Sequence, residues 1–440
     1  MTVIKQNPAL AANAVMQRLF QMRQLWENAA SSYFDPSGFQ LALQNCIMTS
    51  RTVTFILQSN KVHMNNFDDW YDQHRERWNA DPIMRWARDA RNSIEKQGDL
   101  ETHSQVRAII IASYLDGPES EWLPAALFAN PQQLYRAVPK KYLIPHVIEN
   151  GTLLIERRWI DNELPDMEVL EALAHVYAQF ADTLVDYCNM NKLKVPPSLT
   201  DARPDAMGTL SMDRALYLSM RDGRITGNRY FRKPMERPGP KVKKFVKKRY
   251  GPGANWDRLS HALTLREVAK VYFDHARILL MRDGYHRSFA FLMKGRAVVQ
   301  MIPSEHPDRA SRYVLMRDLA KLARIEGADG VMLISEAWHA KVEDAPSGFA
   351  ADAINKGEAL AMHAADATGD SFSFNAVFHR RRPKGKKIKR IDDTTLDDEG
   401  LQFITCPFLR EWDVLDPEKL AATVARMDAM GIETPSISVD

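Results

Sequence analysis

The sequence predicts an α+β protein in which an N-terminal helical bundle is followed by a C-terminal antiparallel sheet covered by helices. Three observations carry this. Apolar residues recur at helical spacing through four consecutive segments of the first hundred residues. After about residue 286, short apolar runs are separated by glycine-containing turns. Regular strand-helix alternation, which a doubly wound parallel sheet requires, is missing.

The first helix is expected from about Pro8 to Phe34, ended by Asp35-Pro36-Ser37-Gly38. In the second, Phe39, Leu43, Cys46, Ser50, Val53, Thr54 and Leu57 share one face and predict a buried stripe. The third runs from the asparagine cap Asn66 through Trp70 and Tyr71 to Trp78. Asp81-Pro82 starts the fourth as N-cap and first helical residue, and Gly98 suits its end. Strands are expected at 106–115 and 151–159, and a long helix from Pro165 to about Met190, packed on the bundle. His286 to Met293 and Ala297 to Ile302 flank Lys294-Gly295 as a hairpin, and a helix from Ala310 to Ile325 closes at Gly327. Further apolar runs lie at Gly330 to Ser335, Ala359 to His363 and Phe372 to Phe378, with Gly369-Asp370 turning between the last two. Composition breaks at 194–204 and 230–253 divide the chain into a bundle with a small α/β extension (1–195), a basic Pro/Gly-rich linker (196–255) and an α+β domain (256–440).

With 440 residues, 45% of them hydrophobic, the chain is long enough for two or three packed domains. Cys46, Cys188 and Cys406 are too scattered for a disulfide scaffold or a structural zinc site, which fits a reducing, cytoplasmic compartment. No apolar run is long enough to span a bilayer. A net charge of +3 means that attraction to polyanions must be local.

Two stretches focus the functional question. Arg91 lies in the apolar arc of the fourth helix with Met84 and Ala87, while Asn92 points the other way. A buried guanidinium needs an acceptor, because an unpaired one costs about 3–5 kcal/mol, and Asp99, Glu101 or a partner subunit is expected to supply it. The Arg91-Asn92 pair at this helix end resembles the motif of the HEPN superfamily, helical proteins of prokaryotic stress and phage-defence systems. Many of these are metal-independent ribonucleases that dimerise across their active-site helices. The resemblance covers about residues 37 to 103. It implies catalytic roles for Arg91 and Asn92, together with a histidine five to seven positions on. Here those positions hold Lys96, Gln97 and Gly98, and the nearest histidine is His103. A general acid or base must come within about 3 Å of the reacting oxygen, directly or through a water. The departure therefore shifts the expectation from cleavage toward binding.

The second stretch runs from Arg229 to Tyr250, with Glu236 its only acid. Tyr230, Phe231, Phe245 and Tyr250 suit base stacking. Arg232, Lys233, Lys241, Lys243, Lys244, Lys247, Lys248 and Arg249 suit phosphate neutralisation, so single-stranded DNA or RNA is the matching partner; the bland reading is a solvated linker. A third basic run, Arg380 to Arg390, is followed at once by Asp392, Asp393, Asp397, Asp398 and Glu399, so a solvated loop is expected there, with self-neutralisation or electrostatic pairing between subunits as the rival to nucleic-acid contact.

Glu336, His339, His286, His363 and His379 lie on or beside predicted strands but match no metal-ligand spacing, and no cofactor motif is found. The segment Gly327 to Trp338 is similar to parts of uncharacterised bacterial proteins, which implies no function. The sequence thus predicts a nucleic-acid-binding or regulatory protein of a prokaryotic stress or phage-defence system, forming a homo-oligomer without membrane or cofactor. A HEPN-type ribonuclease and a non-catalytic homo-oligomeric assembly protein are the alternatives.

Overall fold

In the computed structural model of the chain, residues 7–98, 100, 102–115, 121–124, 126–200, 215–226, 240–250, 258–345, 349–382 and 385–431 are described. They divide into two compact units, one of Met1–Ile109, Glu121–Val138 and Leu154–Tyr217, the other of Ile110–Ser120, Pro139–Leu153 and Leu218–Asp440. The α+β prediction holds.

The four expected N-terminal helices are α1 (Pro8–Ser31), α2 (Pro36–Ser59), α3 (Phe67–Ala80) and α4 (Pro82–Gln97). Asp81 caps α4 by accepting from the backbone of Ile83 at 2.8 Å, and proline follows where its missing N–H costs nothing. Next come β1 (Thr102–Ile111), β2 (Glu121–Trp122), α5 (Pro131–Arg136), α6 (Pro145–Asn150), β3 (Thr152–Asp161) and the long α7 (Val169–Met190). A small sheet has the order β2-β1-β3-β4-β5, its last strands being β4 (Ala215–Ser219) and β5 (Ile225–Thr226), with α8 (Pro197–Thr200) before them.

The core of the first unit joins Leu19, Met22 and Trp26 of α1, Phe39, Leu43 and Ile47 of α2, and the buried face of α7. The indole of Trp26 donates to the Leu170 carbonyl at 2.8 Å, tying α1 to α7. His74 of α3 bridges Asp186 at 3.0 Å and Thr183 at 3.3 Å, both on α7, and Trp70 donates to the same Asp186 at 2.7 Å. The three cysteines are free and buried, and burial pushes the Cys46 and Cys406 thiols up to about 12, far from reactive thiolates.

In the second unit, α9 (Pro240–Tyr250) and α10 (Arg258–His261) precede α11 (Leu265–Asp283). Thus part of the expected linker is helical. A capping box of Thr264 and Glu267 starts α11. Gly284 ends it at φ 78°, where a Cβ would meet the Lys386 carbonyl oxygen at 1.7 Å, so only glycine fits. The remaining elements are β6 (Phe289–Lys294), β7 (Ala297–Pro303), α12 (Arg309–Ile325), β8 (Gly330–Ala340), β9 (Lys356–Asp366), β10 (Ser371–Arg380), β11 (Ile388–Ile391), β12 (Thr395–Asp397), α13 (Cys406–Glu411) and α14 (Pro417–Ala429).

Strands β11-β10-β9-β8-β6-β7 form an antiparallel sheet in that order, with β12 also on β10. Alternation sends Met332, Ile334, Leu360, Met362, Phe372 and Phe374 toward Val268, Phe273 and Leu280 of α11. Val331, Leu333 and Ala365 pack on the other face with Leu315 and Leu319 of α12 and Phe408 of α13. Helices therefore cover both faces.

His363, between Met362 and Ala364, takes the α12 side and places Nδ1 3.2 Å from Gln402 Oε1. Burial pulls its pKa down from 6.5 to about 4. Above pH 6.5 the ring is neutral folded and unfolded. As pH falls from 6.5 toward 4 the unfolded chain takes up the proton first, so stability is lost across that window, by at most on the order of 3 kcal/mol. The His363→Gln variant is expected to flatten this part of the curve of unfolding free energy against pH; an unchanged curve would assign the acid sensitivity elsewhere.

Candidate nucleic-acid interface

Within the basic stretch, the structure replaces irregular linker with the helix α9. Pro240 fits its first turn, and Lys241, Lys244 and Lys248, at spacings of three and four, share one side. All three are exposed, as are Phe245, at 60%, and Val246. No acid occurs between Pro240 and Tyr250. Tyr230, Phe231, Arg232 and Lys233 lie outside the described residues, as do the side chains of Lys243 and Lys247.

The end of α9 is fastened to the end of α11. Arg249 Nε donates to Asp283 Oδ1 at 2.8 Å, Nη2 donates to the same oxygen, and the Tyr250 hydroxyl donates to Oδ2 at 2.7 Å. That hydroxyl's bond to Asp283 pushes the Tyr250 phenol above its ordinary pKa. Arg249, counted among the phosphate contacts from sequence, therefore already has a carboxylate. Among the described side chains, Lys241, Lys244 and Lys248 do not share it.

At two other basic clusters the positive charge is opposed. Arg380, expected in a solvated loop, instead ends β10 with only 15% of its side chain exposed. It donates to Glu358 at 2.6 and 2.8 Å, to Glu336 at 3.4 Å and to the carbonyls of Gly284 at 2.8 Å and Gly385 at 3.2 Å. The expectation failed because both carboxylates come from neighbouring strands, β8 and β9, far away in sequence. Nearby, Asp392 pairs with Arg390 at 3.2 Å and with His379 at 2.9 Å. A cavity of about 400 Å³ beside α10 and α11 is lined by Arg258, His261, Arg266 and Lys270. Its charge cancels, since Asp274 pairs with Arg258 and Lys270, and Asp370 and Asp398 pair with Arg266.

In the first unit, Arg91 is inward-leaning as expected, with 11% of its side chain exposed. Among the described residues its acceptor is Glu95, one turn further along α4; Asp99 and Glu101 lie outside the described residues. The Arg91 hydrogen bond holds the Glu95 carboxyl below its usual range, while Arg91 Nε stays buried without an acceptor. Asn92 is half-buried on the same helix. His103 lies on β1 and bonds through Nε2 to Asn162 Oδ1. Among the described residues no hydrogen bond or ion pair joins His103 to Arg91 or Asn92.

The residues considered for a metal likewise take separate partners. Glu336 accepts from the His286 backbone at 2.5 Å, His363 faces Gln402 and His379 faces Asp392. Among the described residues no three His, Cys, Asp or Glu side chains are grouped to hold a metal ion, and no helix is long and apolar enough to cross a membrane.

Comparison with known proteins places the whole arrangement in a lineage. No solved structure matches the chain. Protein ea47 of Escherichia phage lambda is 31% identical over 333 residues, which is 73% of this chain and 78% of that protein. The family model described as Bacteriophage lambda protein ea47 matches residues 6–426, so nearly the full length of both units is covered. The chain belongs to the bacteriophage lambda ea47 family.

Proposed function

We propose that this protein binds single-stranded nucleic acid through α9 and the basic residues before it. One observation carries the reading: α9 presents Lys241, Lys244 and Lys248 to solvent beside an exposed Phe245, with no acid within the helix. Lysines on one helix face neutralise successive phosphates and release their counterions, and an exposed aromatic ring offers a surface on which any base stacks. Clamping by Asp283 supports a fixed orientation for the helix, so less ordering entropy opposes binding. Tyr230, Phe231, Arg232 and Lys233 extend the same chemistry along the chain. The ribonuclease alternative has no comparable support, since Arg91 is occupied by Glu95 and His103 by Asn162.

The test is fluorescence anisotropy of labelled single-stranded RNA and DNA against the full chain, repeated over a range of salt. Replacing Lys241, Lys244 and Lys248 together by glutamine is expected to weaken binding and to lower the slope of log affinity against log salt by about 2, at ~0.7 per phosphate contact. An amphipathic basic helix also suits an anionic lipid surface. Binding to phosphatidylserine vesicles with none to either polymer at low salt would overturn the proposal.

A further inference from the structure

The C-terminal end of α11 gathers more than the clamp on α9. Asp283 holds Arg249 and Tyr250 of α9, and the next residue, Gly284, packs so closely on the Lys386 carbonyl that no Cβ fits. The Gly284 carbonyl accepts from Arg380 Nη1 at 2.8 Å, and the loop after Arg380 closes where Arg381 N donates to the Lys387 carbonyl at 2.9 Å. Two residues beyond Gly284, the His286 N–H donates to Glu336 Oε1 on β8 at 2.5 Å. The end of α9, the loop between β10 and β11 and the far half of β8 therefore meet at one junction within the second unit.

Two large aromatic side chains stand open at this junction. Tyr285, between Gly284 and His286, is 55% exposed, and Trp338 is 51% exposed. The pairing of β8 with β9 is unbroken from Gly330 to Ala340, so Trp338 follows Met332, Ile334 and Glu336 onto the α11 side of the sheet. Lys356 Nζ lies 4.9 Å from the centre of the Trp338 ring, and Glu358 is the residue opposite Trp338 on β9. The carboxylates that build the junction are matched, Glu336 and Glu358 by Arg380 and Asp283 by Arg249. The cations that follow Arg380 are not. Arg381, Arg382, Lys386 and Lys387 are exposed, and among the described residues no acid pairs with them.

Exposed aromatic rings beside cations without counter-ions are the complement of a chain that alternates bases with phosphates. An apolar protein partner would bury those charges unpaired, whereas phosphates neutralise them while bases stack on the rings. We infer that Tyr285 and Trp338, with Arg381, Arg382, Lys386 and Lys387, continue the α9 interface as a second base-stacking step for the same single strand. The inference rests on the α9 reading and adds to it the path of the strand beyond the lysines of α9. Such a path requires unpaired bases, because a duplex keeps its base faces stacked on one another.

The probe is fluorescein-labelled oligodeoxythymidine of about 16 nucleotides, followed by anisotropy against the full chain at low salt. Trp338→Ala and Tyr285→Ala are each expected to weaken binding about tenfold, and Trp338→Phe, which keeps a ring to stack on, to lose much less. On an abasic strand of equal length the parent and Trp338→Ala should bind alike, a result that misfolding of the variant would not produce. Replacing Arg381, Arg382, Lys386 and Lys387 together by glutamine should lower the slope of log affinity against log salt by about 3, at ~0.7 per phosphate contact. Binding that weakens when Lys241, Lys244 and Lys248 become glutamine but is unchanged in both aromatic variants overturns the inference and leaves the α9 reading standing. Aromatic variants that break up a homo-oligomer in sedimentation, with strand affinity unchanged, assign the patch to a second copy of the chain and overturn it likewise. No binding by the parent chain overturns both.

Discussion

Replacing Trp159 by alanine is expected to destabilise the N-terminal unit by about 3–5 kcal/mol, the range for a large aromatic removed from a core. Trp159 is fully buried, stacks on Phe39 at a centroid distance of 4.6 Å and donates its indole N–H to the Tyr33 carbonyl at 2.9 Å. It also faces Arg157, whose guanidinium lies 5.3 Å from the ring centre. Arg157 is 2% exposed, hydrogen-bonds only to the Ala129 carbonyl and has no carboxylate partner among the described residues. Burial pulls its pKa down to about 10. The indole face is therefore part of what makes a buried cation tolerable here. Equilibrium denaturation provides the check, and Trp159→Phe, which keeps an aromatic face, should recover much of the loss. In an Arg157→Met background Trp159→Ala should cost less, because no cation is left stranded. Equal costs in both backgrounds would refute the coupling.

Arg380→Ala is expected to cost a similar ~3–5 kcal/mol in the second unit, because removing one partner strands the other charges. Glu336 and Glu358 would lose their shared cation, and the Gly284 carbonyl at the end of α11 would lose a donor. The deficit should depend on pH. Burial already raises the Glu336 pKa above its unfolded value, and loss of Arg380 removes an influence that lowers it. A carboxyl with a raised folded pKa favours folding while protonated and loses that benefit as pH rises through the folded pKa. The variant should thus come closer to the parent in unfolding free energy at pH 5 than at pH 7. Arg380→Lys should rescue poorly, since an ammonium cannot reproduce the paired bonds to Glu358. A deficit independent of pH would show that lost packing, not stranded charge, dominates.

These sites also show how far local sequence information reached. The first four helices were legible because caps, prolines and apolar periodicity are local signals, as Asp81-Pro82 and the α2 stripe illustrate. The hairpin of β6 and β7 was legible for the same reason, its Lys294-Gly295 turn lying between two apolar runs. Helix α11 carries equally local marks, Thr264, Glu267 and Gly284, which a search for apolar runs alone passes over. Arg91 shows an intermediate case. Its inward lean follows from the helical wheel, and among the described residues its acceptor lies four residues ahead on the same helix.

By itself, then, the sequence determined the α+β class, most helix positions and the concentration of positive charge between Arg229 and Tyr250. Tertiary structure alone decided which charges remain unopposed. Asp283 claims Arg249, and Glu336 and Glu358 claim Arg380. The physical reason is range: caps and periodicity act over a few residues, whereas a counter-ion is chosen by strand register and helix packing that join residues far apart in the chain.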